Sequence, residues 1–209
     1  MKKEKGIIIP DILNAAGRKV LLHSCCAPCS SAILEFFLKN DILPTVYYCN
    51  SNIYPYEEYQ HRRNEIKHFL QTIDVNFIED NYNHQEWLQC IQGKENEPER
   101  GARCLECFKF RLKRAAEYAM KNGFKVITTT LASSRWKNLE QINQAGKLVV
   151  EEVCSTGDLW FWDQNWRKGG LQDRRNTLLK EYGFYNQQYC GCEFSLRTPK
   201  ASPNPEVSL

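Results

Sequence analysis

Three groups of cysteines carry the first chemical signal in this 209-residue chain. Cys25, Cys26 and Cys29 fall in the stretch LLHSCCAPCS, Cys104 and Cys107 in CLECFKFRL, and Cys190 and Cys192 in a Cys-Gly-Cys arm after Tyr189. A Cys-x-x-Cys turn aims two sulfurs the same way. Two such elements meeting in space supply the four thiolates of a 4Fe-4S cluster or of a tetrahedral zinc site. The three groups hold seven of the ten cysteines. That exceeds what zinc takes, so the excess points to redox chemistry or to two metal centres. Cys26-Ala-Pro-Cys29 alone also suits a thioredoxin-like dithiol, a reading that leaves the other two groups unused. A disulfide between Cys190 and Cys192 would be strained and easily reduced. The arm therefore suits a redox relay or a chelator better than a staple. Cys49, Cys90 and Cys154 stand alone and read as small buried hydrophobes.

Around these thiols lie cations and aromatic rings. Arg100, Arg103, Lys109, Arg111, Lys113 and Arg114 crowd into fifteen residues, opposed by Glu106. Arg135, Lys137, Arg167, Lys168, Arg174 and Arg175 follow. Phosphates bind where cations gather, so the run from Arg100 to Arg114 is expected to face nucleic acid. Trp160, Phe161, Trp162 and Trp166, interleaved with Asp163 and Lys168, suit a base stacked in a pocket. Asp163, Tyr189 and His23 are candidate proton donors.

The elements that position these groups alternate. Strands are expected at residues 19–24, 45–49, 75–78 and 126–131. Helical spacing of apolar residues marks 30–39, 56–73, 84–92 and 105–121, and a further helix around Leu139, Ile142 and Val149. Strands alternating with helices predict an α/β fold: an open, mostly parallel, Rossmann-like sheet flanked by helices. The expected organisation is a lead-in (1–18), one α/β domain (19–197) ending in a helical or irregular region, and a loose tail (198–209). Ligands bind beyond the carboxyl ends of such strands. There the sequence gathers the first cysteine group, Asn50-Ser51-Asn52 and Ser133-Ser134-Arg135.

Bulk properties narrow the classes. Net charge is only +3, so affinity for nucleic acid has to come from a local patch. The chain is 42% hydrophobic, enough for a real core, and no run approaches the ~18 apolar residues of a membrane span. Ile7-Ile8-Ile9 is too short for a signal sequence. A cytoplasmic protein without a membrane partner is expected, and in a reducing compartment clustered thiols point to metal or catalysis rather than to disulfide scaffolding.

In order along the chain, LLHSCCAPCS, NSNIYPYEEYQHRR, CLECFKFRL, TTTLASSRWKN and YCGC resemble the motifs of the QueH-type epoxyqueuosine reductases, from about Val20 to Cys192. The resemblance implies the last step of queuosine synthesis: the epoxide of epoxyqueuosine in the tRNA anticodon is reduced to an alkene by iron–sulfur chemistry without cobalamin. It implies a 4Fe-4S cluster on Cys25, Cys26, Cys104 and Cys107. Cys190 and Cys192 would then be a redox-active pair able to close as a disulfide, or ligands of a second, adjacent iron. Adjacent cysteines converge on one cluster only where the backbone kinks, which leaves Cys29 as an alternative ligand to Cys25 or Cys26. Substrate contacts are expected from Asn50, Asn52, Ser134, Arg135, Lys137, Trp162 and Lys168, and catalytic roles for Cys190, Cys192, Asp163 and Tyr189. The partners would be the modified tRNA and an unidentified electron donor. Cys49, Ser51 and Arg135-Trp136 depart from the family pattern near the rim. The rival readings are a zinc-stabilised RNA-binding module without catalysis and a thiol-disulfide oxidoreductase.

Overall fold

Every residue of strand β1 (Lys19–His23) after the first is buried, and successive strand residues face opposite sides. Both faces of this strand are therefore covered, as expected for a central strand of a parallel sheet. The computed structural model describes residues 6–196, so the expected tail at 198–209 lies outside the described residues. After β1 come α2 (Ala27–Lys39), β2 (Leu43–Tyr48), α3 (Tyr56–Thr72), β3 (Asn76–Glu79), α4 (His84–Cys90) and α5 (Ala102–Lys121). β4 (Val126–Thr129), α6 (Leu139–Val153), β5 (Trp160–Phe161) and α7 (Leu171–Glu181) complete the order, and a short α1 (Ile12–Ala15) precedes β1. The five strands are all parallel, in the order β3-β2-β1-β4-β5. The sheet is thus wholly parallel rather than mostly so.

α2 packs against α3 and α7, and α5 packs against α4 and α6. Beneath α2 the core is aromatic. Phe37 stacks on Trp162 with ring centroids 5.6 Å apart and meets the edge of Trp166 at 5.4 Å. Trp162 and Trp166 are buried there, so their aromatic run belongs to the core rather than to a base pocket. No helix among the described residues is long and apolar enough to cross a membrane.

Two helix starts matter for the chemistry. α2 begins three residues before its apolar pattern does, because Pro28 fits the first turn, where a missing N–H costs nothing. α5 likewise begins at Ala102 rather than 105, with Gly101 as its N-cap. Cys29 and Cys104 therefore sit in the first turns of helices, and Cys107 one turn further along. β4 ends at Thr129, earlier than expected. The Thr129 hydroxyl accepts from the Leu131 amide at 3.1 Å and turns the chain into a 3-10 segment, Thr130–Ser133.

Candidate active site

The strand order reverses direction between β1 and β4, and ligands in open α/β sheets bind in the crevice such a switch creates. The chain leaving β1 carries the first cysteine group into that crevice. Cys26 caps α2 in a fully extended conformation, and its Sγ lies 3.7 Å from that of Cys25. The sulfurs of Cys25, Cys26 and Cys29 all lie within 4.8 Å of one another. The adjacent pair does converge, and Cys29 joins it. Thr130, just past β4, fixes the group from the other side: its hydroxyl accepts from the Cys25 amide at 3.3 Å.

The second and third groups meet each other. Cys107 and Cys192 share a small buried cluster with Trp87 and Ile91. Cys190 and Cys192 both act electrostatically on Cys104, and Cys190 acts on Cys107. All ten cysteines are free thiols, so the Cys190–Cys192 pair is unbridged. The arm bearing them is held rather than loose. Arg62, only 2% exposed, donates to the carbonyls of Cys190 at 3.3 Å and Tyr189 at 3.4 Å, and Glu58 grips its guanidinium at 2.6 Å. Gly191 lies at φ 132° with its carbonyl accepting from the Tyr54 amide at 2.9 Å. A Cβ there would stand 3.2 Å from Ile53 and 3.3 Å from Arg62, so this close approach needs glycine.

A cavity of about 550 Å³ opens between these parts. Cys25, Cys29, Cys104, Cys190 and Cys192 line it, with Arg62, Arg103, Lys137 and Tyr189. Burial pushes the Cys107 and Cys192 thiols up to about 11. Cys29 is also pushed up to about 11, first by its bond to Cys25. Cys25 moves the other way, because its bonds to Cys26 and Cys29 favour the thiolate. Burial opposes the charge on Lys137, yet the thiols of Cys190, Cys25 and Cys29 more than offset it and raise its pKa. The fully buried Arg111 behaves in the same way toward Cys107 and Cys25. These fixed cations would neutralise thiolates bound to a metal. The donor set also has suitable spacing: thiolates at about 2.3 Å from one tetrahedral ion stand about 3.8 Å apart, close to the Cys25–Cys26 separation. The residues fit a thiolate-bound metal group.

The other expected residues divide. Ser134, Arg135, Lys137 and Tyr189 line the cavity. Asn50 is buried behind it, donating to the Ser24 carbonyl at 2.8 Å and accepting from Arg111, so it braces the site. Asn52 is buried beside Gly191 with its Oδ1 unpartnered. Asp163 pairs with Lys147 at 2.7 Å; it, Trp162 and Lys168 are not among the lining residues. His23 is clasped between Thr129 at 2.8 Å and the Cys49 carbonyl at 3.2 Å, and burial lowers its pKa to about 3. It is a neutral core residue.

The cationic run also reads differently in three dimensions. Arg111 bonds the Cys49 carbonyl and Asn50, Arg114 pairs with Asp80 and Glu86, and Lys113 pairs with Glu152. Of the run, Arg100 and Arg103 reach the cavity. Sequence reasoning missed Arg62, Gln172 and Gln187, while Arg175, one of the later cations it named, also lines the cavity. Gln187 accepts from the Cys26 thiol at 3.4 Å and seals the first group under the last. The Glu58–Arg62 spacing was the available signal for Arg62, but an i,i+4 pair usually marks a solvated helix face.

Comparison with known proteins places this arrangement. A family model described as epoxyqueuosine reductase QueH matches residues 20–198. The epoxyqueuosine reductase QueH of Acinetobacter baylyi is 45% identical over 179 residues, covering 86% of this chain and 81% of the relative. That of Haemophilus influenzae is 46% identical over 179 residues, covering 86% and 72%. That of Thermotoga maritima is 34% identical over 180 residues, covering 85% and 90%.

Proposed function

Because the chain belongs to the epoxyqueuosine reductase QueH family, we propose that its thiol-lined crevice is where the epoxide of epoxyqueuosine in tRNA is reduced to the alkene of queuosine. The chain is an oxidoreductase. Two electrons and two protons enter, both C–O bonds of the epoxide break, and the oxygen leaves as water. One observation carries the reading. Five clustered thiols line a single cavity, and the other two, Cys26 and Cys107, lie directly against them.

Cys25, Cys26, Cys104 and Cys107 would hold a 4Fe-4S cluster, leaving Cys29, Cys190 and Cys192 for an adjacent iron or a redox pair. Bound there, the cluster supplies electrons singly and the iron a Lewis acid. The chain's own residues do the rest. Lys137 Nζ keeps its proton at the cavity wall, a fixed positive charge facing the thiols of Cys190, Cys25 and Cys29. Tyr189, whose hydroxyl donates to the Tyr54 carbonyl, shapes the wall with the Arg62 guanidinium over its ring at 5.3 Å. Ser134 and Arg135 meet the substrate, and Gln187 and Arg62 keep the last cysteine pair over the first group. A second reading is favoured by the 3.7 Å Cys25–Cys26 separation. In it the first group holds the single iron, and Cys104, Cys107, Cys190 and Cys192 hold the cluster.

Anaerobic purification with metal analysis tests the centre. Brown protein containing iron and sulfide is expected. Colourless protein holding zinc in its place would support a structural RNA-binding module instead.

A further inference from the structure

Four successive backbone carbonyls beside the cavity are each held by an arginine. Arg167 donates to the carbonyls of Ser134 and Lys137, the latter at 2.9 Å. Arg100 donates to those of Trp136 at 2.9 Å and Arg135 at 3.3 Å. Arg100 itself sits at φ 71°, a left-handed backbone that a side-chain-bearing residue rarely adopts. Gln141 secures its carbonyl at 2.7 Å. Burial and the nearby charges of Arg100 and Arg135 push the pKa of Arg167 down, so the loop gathers positive charge. What this braced loop presents is Trp136, 70% exposed on the cavity wall, with Arg135 exposed next to it.

The indole is thus largely exposed, and the backbone that carries it is fixed by these hydrogen bonds. Unpaired RNA bases stack on such rings, and arginines beside them meet the phosphates. We propose that the loop at residues 134–137 is a nucleobase-stacking platform. An unpaired base flanking the modified nucleoside lies on the Trp136 indole, while Arg135 meets the adjoining phosphate. Arg100 and Arg167 are positioning residues that act through the loop backbone. The proposal rests on the tRNA reading above and adds where the anticodon loop is gripped.

The test uses anaerobic holoenzyme and an anticodon stem–loop carrying epoxyqueuosine, with the Kd of the unmodified stem–loop measured in parallel. Trp136→Ala is expected to raise KM and Kd by about tenfold or more, the loss of one base stacked on an aromatic ring. Its kcat should stay close to that of wild type, and Trp136→Phe should recover most of the affinity. Wild-type KM and Kd in the alanine variant would overturn the platform. So would equal losses in the alanine and phenylalanine variants accompanied by lower iron content, because the loop would then support the metal site rather than a base. If wild-type holoenzyme leaves the epoxide intact, the tRNA reading itself falls and the platform falls with it.

Discussion

Cys104 and Cys190 should behave differently when replaced, although both line the same cavity. Cys104→Ser removes a thiolate from the proposed cluster set and is expected to lower bound iron to a minor fraction of wild type, read by metal analysis after anaerobic purification. Cys190→Ala is expected to keep the broad visible absorbance of the cluster while turnover is lost. Loss of that absorbance in Cys190→Ala would favour the second ligand set. At this scale the sequence was informative wherever spacing encodes geometry. Three clusters of thiols pointed to a common site, and the structure brings all three to one crevice. It was uninformative wherever a role depends on a distant partner. Arg62 lies in a charged helix and looks solvated, yet it is buried and bonds carbonyls more than a hundred residues away. Trp162 and Asp163 looked like parts of a site because polar and aromatic residues alternate there. The ring packs on Phe37 and the carboxylate pairs with Lys147.

The alternating strands and helices were legible as elements, since long buried strands and strongly amphipathic helices leave clear periods. β5 was not, because two residues carry no period and its aromatics suggested a binding pocket. α7 was also missed: Leu171 and Leu178 are its buried residues, so its apolar stripe is faint. Yet β5 closes one edge of the sheet and sets how α6 packs. Gly146 of α6 lies against the Phe161 ring, and an added Cβ would come within 2.3 Å of it. On an exposed helix, Gly→Ala gains about 1 kcal/mol. Here overpacking costs about 1–3 kcal/mol, so Gly146→Ala is expected to destabilise the fold, measured as a lower urea midpoint with unchanged slope. A higher midpoint would mean that β5 is loosely held.

At the scale of the molecule, the strand order decides which residues meet, and local patterns could not show it. The expected phosphate-binding run mostly turns inward or pairs with carboxylates, while its first member, Arg100, meets Arg135 and Arg175 from other segments around the cavity. The salt dependence of tRNA binding should follow the folded arrangement. Replacing Arg135 and Arg175 together by glutamine is expected to lower the magnitude of the log–log salt slope by about one for each phosphate no longer neutralised. Arg114→Gln should leave the slope unchanged, and the reverse result would restore the linear run as the RNA face. The most direct test of the whole reading is anaerobic turnover. Holoenzyme, a chemical one-electron reductant and tRNA containing epoxyqueuosine are incubated, and the released nucleosides are weighed by mass spectrometry. The expected product is queuosine, lighter than its precursor by one oxygen, formed by the wild type and absent with Cys190→Ala. An unchanged nucleoside after incubation with iron-loaded wild-type enzyme would contradict it.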